Sequence, residues 1–443
     1  MFQNQQEKVK TGFWLLNRNR ILYSLFYLLI LFLPTQFGKH FWPDFSFIFG
    51  LRLDYLSPTI YLTDILILLI FIFYLPKLKI VIAKTNKKYL VAFGLFLLSM
   101  VVGAIGAKNS PAGFYGIIKF LEFSFLAFFV TNNFKMFNKQ FLFIAFLTGI
   151  VFESLLAVFQ YFNQGSIGGL FYFLGERTFN AATPGIANAS INGQLFLRPY
   201  ATFSHPNVLA GFLIIAMLYL FLFFKNKKIL FGGVLLGTVT LFLTLSRTAI
   251  LLWIIYLIVL FGTSFVKKYK NGFSNMKFLA AGIIISALIV SGFFIFKNSF
   301  ILQRFFLTKL SDESLVQRQQ LITQSFLMIQ KNPVFGIGVN NFFNNLAVPK
   351  EQTDLSFVQP VHNIFLLVFS ETGLIGFCSA IYLFYKALRK VFFRFTKKGS
   401  KYILLLIFSI IFLGFFDHYF LTIQQGQILL SIVFGTTLSY RNS

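Results

Sequence analysis

The chain has 443 residues, 57% of them apolar and 12% charged, with a mean hydropathy of +0.75 and 66 Phe. A soluble domain carries roughly a quarter charged residues, so a soluble enzyme is excluded. A single-anchor protein is excluded too, because even twelve spans of about 20 residues use roughly 240 positions and the apolar content is spread along the whole chain. The formal charge of +26, from 39 Lys and Arg against 13 Asp and Glu, reports topology and attraction to anionic lipid in a chain this apolar, not a nucleic-acid partner.

Apolar runs dense enough to span occur at about 21–37, 59–75, 89–106, 112–131, 141–162, 206–224, 229–245, 247–266, 278–296, 363–387, 402–420 and 424–440. The first follows Arg18 and Arg20 as a signal peptide would, but Leu33-Pro34-Thr35-Gln36 has no small-residue cleavage site, so the run is expected to be retained. With the N-terminus inside, 26 of the 39 Lys and Arg fall on the short cytoplasmic segments, 12 fall outside and Lys119 lies within a span. This alternation predicts one polytopic all-α integral membrane domain over 1–443 with about twelve transmembrane helices, both termini cytoplasmic. The single cysteine, Cys378, sits in an apolar run, which excludes an intramolecular disulfide and a Cys-based metal site.

Two long segments then face outward, 163–205 and 297–361, and all four histidines (His40, His205, His362, His418) fall on that side. The first segment is Gly- and Asn-rich and reads as irregular structure or short re-entrant pieces. The second, between spans 9 and 10, carries an extra helix at about 312–331: Ser311-Asp312-Glu313 caps it, Leu315, Ile322, Phe326 and Ile329 recur at helical spacing, and Pro333 ends it. Such a helix is expected to rest on the bundle or the membrane surface.

Ionisable groups inside spans cost about 2.5–3.5 kcal/mol each on insertion scales. Lys119 and Glu122 are three apart and can pair, Asp64 and Glu371 lie near helix ends, and Glu153 is the deepest, suited to a cavity wall or to support. At 198–211, Arg198 and Thr202-Phe203-Ser204-His205-Pro206-Asn207 form a polar turn delivering a helix whose N-terminus offers free N–H groups to an anion. Arg247 stands where two apolar runs meet and calls for a carboxylate, snorkelling or an anionic ligand. Arg318 lies on the outer helix, and His362-Asn363 opens a span running on to Glu371. Gly336 and Gly338 lack the third glycine of a dinucleotide fingerprint and follow a helix, so a nucleotide site is not indicated.

Arg198, Arg247, Arg318 and His362 all fall on one side of the membrane. Such a set suits transfer from a lipid-linked pyrophosphate: guanidinium groups bind phosphate and stabilise leaving-group charge, while a neutral imidazole takes a hydroxyl proton. Asp-x-Asp is absent and Asp312-Glu313 reads as helix-start acids, so neither a metal nor any other cofactor is expected.

Together these motifs resemble the O-antigen ligase family, which includes O-antigen polymerases and protein O-oligosaccharyltransferases. The matches are Arg247-x-x-x-Leu251, His362 followed by Gly373, Thr202 to Asn207, and Arg318 followed by Asn332-Pro333-Val334-Phe335-Gly336-Ile337-Gly338; they cover about 198–376. Where that family often has Trp on the outer-loop helix, this chain has Leu321 and Ile322. The resemblance implies a metal-independent, inverting glycosyltransferase on the outer face of the cytoplasmic membrane. It would move a glycan from undecaprenyl pyrophosphate to a hydroxyl of a glycan, lipid or protein acceptor. His362 would be the base or acceptor-orienting group; Arg247, Arg318 and, less firmly matched, Arg198 would be pyrophosphate ligands; His205, Asn207, Asn363, Glu153 and Glu371 would line or support the cavity. A transporter for inorganic carbon or another small solute is the second reading, with Asp64, Lys119, Glu122 and Glu153 along a path. A purely structural membrane protein is the third.

Overall fold

The computed structural model describes residues 2–191, 194–223, 227–268, 313–346, 359–393 and 399–439. The expected span 278–296, most of 297–312 with the Ser311-Asp312 cap, and 347–358 lie outside the described residues. The chain is mostly helical: α1 (Phe2–Leu31), α2 (Leu62–Ala83), α3 (Lys87–Ile105), α4 (Ser110–Asn133), α5 (Lys139–Asn163), α6 (Leu170–Phe173), α7 (Pro206–Phe223), α8 (Lys227–Leu243), α9 (Arg247–Lys268), α10 (Glu313–Lys331), α11 (Ile364–Phe392), α12 (Ser400–Gly414), α13 (Tyr419–Thr422) and α14 (Gln424–Ser439). Among the described residues, six helices are long and apolar enough to cross a membrane, namely α2, α3, α4, α5, α7 and α11, with shorter apolar helices at 228–243, 247–260 and 400–414.

The all-α expectation needs amendment. Three antiparallel pairs, β1 (Gly38–His40) with β4 (Thr59–Tyr61), β2 (Phe47–Ile48) with β3 (Leu51–Arg52), and β5 (Asn188–Ile191) with β6 (Gln194–Leu197), build on the connecting segments. These strands are two to four residues long, too short for an alternating pattern to declare them.

The core is centred on α7, whose hydrophobic window is 78% buried. It has apolar side chains around its whole circumference, as a helix enclosed by others must. Around it pack α5, α8, α9, α12 and α14, while α4 lies along α14 and α3 along α11. Segments 32–61, 106–109, 164–191, 194–205, 332–346, 359–363 and 415–423 gather at one end of this bundle and bond to one another: Thr202 Oγ1 donates to Pro34 O at 2.8 Å, Thr35 Oγ1 to Leu174 O at 2.7 Å, and Asn109 Nδ2 to Phe45 O at 2.9 Å.

Backbone proximity fixes the order of this loop end. Gly373 interrupts α11 with φ 61° and ψ −167°, a region essentially restricted to glycine. The segment 333–338 crosses the break: Ile337 N donates to Ser370 O at 2.9 Å, Gly338 N to Glu371 O at 3.1 Å, Leu374 N to Pro333 O at 2.8 Å, and Ile375 N to Val334 O at 3.3 Å. A Cβ on Gly336 would strike the backbone of Glu371 and Gly373, and one on Gly373 that of Val334 and Gly336. The Gly336-Ile337-Gly338 motif is thus a strap clamped over a helix break.

Candidate functional site

The polar residues of the loop end converge from five chain segments. Arg198 lies just after β6 and is buried; its Nε donates to Thr244 O at 2.7 Å and its NH2 group to Asn207 Oδ1 at 2.7 Å. Asn207, in the first turn of α7, donates in turn through Nδ2 to Asp417 Oδ2 at 2.9 Å, and its backbone N–H donates to His205 Nδ1 at 3.1 Å. Asp417 and His418 form the link between α12 and α13. Asp417 Oδ1 accepts from the His418 N–H at 2.8 Å and lies 3.6 Å from His362 Nδ1, long for a hydrogen bond but close for an ion pair. The His362 and His418 rings stand 4.9 Å apart.

Each segment is held by named contacts. Glu153 on α5 accepts from Thr202 N at 3.0 Å and from Thr202 Oγ1 at 2.9 Å, fixing the turn that carries His205. Asn363 caps α11, accepting from Phe365 N at 2.9 Å and Leu366 N at 3.0 Å, so His362 sits on the residue entering the helix. The Glu371 carboxylate takes the N–H groups of Asn340, Asn341 and Phe342. Glu153 and Asn363 thus hold the turns beside the cluster, while Glu371 both holds 340–342 and lines the adjoining cavity.

Arg247 opens α9 after a turn in which Leu245 has φ 52°, and the Thr244 carbonyl of that turn is the one Arg198 grips. Arg318 lies on α10, one turn before Leu321. Leu321, Ser325 and Met328 form the buried face of that helix, packing with Ile337, Val361 and Leu367, while Ile322 and Phe326 remain exposed. The docked face is thus turned from the one the spacing of Ile322 and Phe326 suggested. It directs Arg318 toward the cluster, where its charge is felt at His418.

Burial and charge set the protonation of the group. Burial, then the charges of His362 and Arg318, push His418 down to about 3, with Asp417 opposing. Burial and Arg198 do the same to His205, also to about 3. Burial alone would raise Asp417, but His362, with His418 and His205 added, outweighs it and holds the carboxyl well below the usual range. The cluster therefore presents an ionised carboxylate among imidazoles and arginines.

Next to it opens a cavity of about 740 Å³ between α3, α4, α11 and α14. Tyr55 and Thr422 are among its lining residues; Tyr55 lies edge-on to the His418 ring at 5.7 Å, and Thr422 Oγ1 is 2.7 Å from His418 Nδ1. Its walls are mostly apolar, including Phe93, Phe120, Phe128, Leu383 and Phe434, with Lys119, Glu371, Gln424, Tyr89 and Lys390 among the polar residues that also line it. Within the bundle Lys119 pairs with Asp64 and Glu122 at 2.9 Å each, and Gln424 also bonds Asp64. The charges that suggested a transport path are thus tied to one another or, for Glu153, to Thr202, and the transport reading gains no support.

Asp417 and His418 were not foreseen as site residues. The run 402–420 reads as one span, yet its helix stops at Gly414, and the signal available was an Asp inside an apolar run. His362, His205, Arg198 and Asn207 come together around Asp417, with Arg318 beside His418 and Arg247 on the adjoining turn.

These features define a multi-pass membrane protein with a polar, arginine- and histidine-bearing cluster beside a largely apolar cavity. A family model described as O-antigen ligase matches residues 232–381, from α8 through the first half of α11; this chain carries an O-antigen ligase family domain. No curated protein matches the chain. The match supports a membrane enzyme of the O-antigen ligase type at the level of the family.

Proposed function

We propose that the protein moves a glycan from undecaprenyl pyrophosphate to an acceptor hydroxyl, with the loop end on the outer face of the cytoplasmic membrane. The observation that carries this reading is the adjacency of the Asp417–His362–His418 cluster to a largely apolar cavity in the bundle: Tyr55 and Thr422, which line the cavity, both contact His418. A polyprenyl tail needs such a cavity, and its pyrophosphate needs cationic groups beside it. The excess of Lys and Arg on the segments at the opposite end supports the outward orientation.

In this reading, His362 Nδ1–H faces Asp417 and Nε2 is the base, the Gln359 amide 3.1 Å away turning to present its NH2 group. The acceptor oxygen attacks the anomeric carbon as its proton passes to Nε2. The bond from that carbon to the pyrophosphate oxygen breaks, and its electron pair leaves with undecaprenyl pyrophosphate. A single in-line displacement inverts the anomeric carbon. Arg247 and Arg318 stabilise the charge growing on the leaving group. Arg198, already engaged with Thr244 and Asn207, adds positive potential and locks α7 to the α8–α9 turn.

The test is transfer in proteoliposomes from an undecaprenyl-pyrophosphate oligosaccharide to candidate acceptors. Transfer should require the pyrophosphate form of the donor, vanish in His362→Ala and fall sharply in Arg247→Lys, because a point charge cannot reproduce the planar fork. Equal transfer from a monophosphate donor would remove the reading. Solute flux in sealed vesicles without any lipid-linked sugar would favour transport instead.

A further inference from the structure

Three ligating side chains meet in the pocket: among the described residues, His362, Asp417 and His418 place their ligand atoms within 4.8 Å of one another. The outer nitrogen of each imidazole is spoken for. Thr422 Oγ1 lies 3.2 Å from the His418 backbone O and 2.7 Å from His418 Nδ1, and it accepts from that nitrogen when its own proton goes to the backbone O. In the orientation seen here the Gln359 amide presents Oε1, an acceptor, 3.1 Å from His362 Nε2. With their protons on these outer nitrogens, His418 Nε2 and His362 Nδ1 carry lone pairs. His362 Nδ1 is buried without a hydrogen bond and faces Asp417 Oδ1 at 3.6 Å. In this tautomer the Nδ1 lone pair and the carboxylate oxygen face each other, an arrangement that a cation bound between them favours.

We propose that this pocket binds one divalent transition ion of the zinc class through His362 Nδ1, His418 Nε2 and the Asp417 carboxylate. Two imidazoles and one carboxylate suit Zn²⁺, Co²⁺ or Ni²⁺ and not Mg²⁺ or Ca²⁺, which demand oxygen ligands. Zinc-to-ligand distances of about 2.0–2.2 Å require the widest pair to close by roughly an ångström, a movement within reach of two side chains on the α12–α13 link. Gln359 and Thr422 supply the outer hydrogen bonds that orient metal-binding imidazoles. Asn207 Nδ2 and the His418 N–H steady the carboxylate. His205, Arg198 and Arg318 also face the group, and the two arginines oppose a dication, so binding is weaker than at a structural zinc site. The ion fixes the His362 tautomer with its proton on Nε2, the reverse of the one the proposed transfer uses, and this makes it an inhibitor in that reading. The binding itself does not depend on the transfer.

The experiment uses the full chain in detergent, stripped with chelator and titrated with Co²⁺. One equivalent should bind with visible absorption, displaced by Zn²⁺ but not Mg²⁺. His418→Gln and Asp417→Asn should each weaken binding at least tenfold, Gln359→Ala about ten- to a hundredfold, and His40→Gln should leave it unchanged. In the unsubstituted protein Zn²⁺ should also shield His362 and His418 from imidazole acylation, read by mass spectrometry, so the result does not hang on whether variants fold. No stoichiometric cobalt, cobalt absorption surviving in both ligand variants, or acylation indifferent to Zn²⁺ overturns the proposal; the 3.6 Å gap then holds a proton.

Discussion

Replacing Asp417 by Asn removes the charge beside His362 while keeping the shape of the side chain. The carboxylate is 13% exposed and His362 19%, with 3.6 Å between Oδ1 and Nδ1. For an imidazolium formed in the transition state, that separation is worth about 4–5 kcal/mol at an effective dielectric near 20 and about 2 kcal/mol near 40. Partial exposure places the pair between these limits, so turnover should fall about 30- to 1000-fold at about 1.4 kcal/mol per decade. The amide oxygen of the new side chain can still accept from Asn207 Nδ2 while Asn207 Oδ1 stays on Arg198, so the melting temperature should move little compared with the rate. The assay is transfer from an undecaprenyl-pyrophosphate glycan in chelator-treated proteoliposomes, alongside thermal unfolding of the same preparations. Turnover within threefold of the unsubstituted enzyme, with His362→Ala inactive, would refute the argument that Asp417 supports the imidazole.

Gly373→Ala should destabilise the protein by several kcal/mol, from about 1–3 for the backbone conformation and about 0.5–1.5 for each strap bond that must part; a loss below about 1 kcal/mol in denaturant titration would contradict the clamp. Folded His205 and His418 titrate at about 3 against an ordinary 6.5. Stability should therefore be full above pH 6.5 and fall as pH drops toward 3, by up to about 1.4 kcal/mol per pH unit for each histidine. Melting that is flat between pH 6.5 and 4 would contradict this. Glu153→Gln turns an acceptor of two Thr202 donors into a mixed group and should cost about 1–3 kcal/mol, with limited proteolysis of the 198–205 turn accelerated. Chelator should leave transfer intact and added Zn²⁺ should suppress it; loss of transfer in chelator would require a metal in the reaction itself.

Much of the helical frame was legible because lipid and a large core impose the same demand, long apolar runs with few charges. The described residues place a helix at each expected run except 278–296, which lies outside them, though the first and the eleventh end earlier than hydropathy indicated, at Leu31 and Gly414. Hydropathy averages over a window, so it carried the eleventh run across Asp417 and His418 and hid the two residues that tie the cluster together. His362, Arg198, His205 and Asn207 were visible because each stands at a polar break between apolar runs. The spacing of Ile322 and Phe326 did not disclose the docked face of α10, because that face includes Ser325 and Met328 as well as Leu321. The need for glycine at 336 and 373 lies in a backbone-to-backbone contact between distant segments, which local pattern cannot show.

The most direct measurement is a single-turnover reaction with undecaprenyl-pyrophosphate oligosaccharide and acceptor in proteoliposomes, comparing the unsubstituted protein with His362→Ala and following both released undecaprenyl pyrophosphate and the anomeric configuration of the product. The account predicts one lipid pyrophosphate released per glycan transferred, an inverted linkage, and neither product from the variant. Transfer at equal rate in His362→Ala, or a retained anomeric configuration, would contradict it.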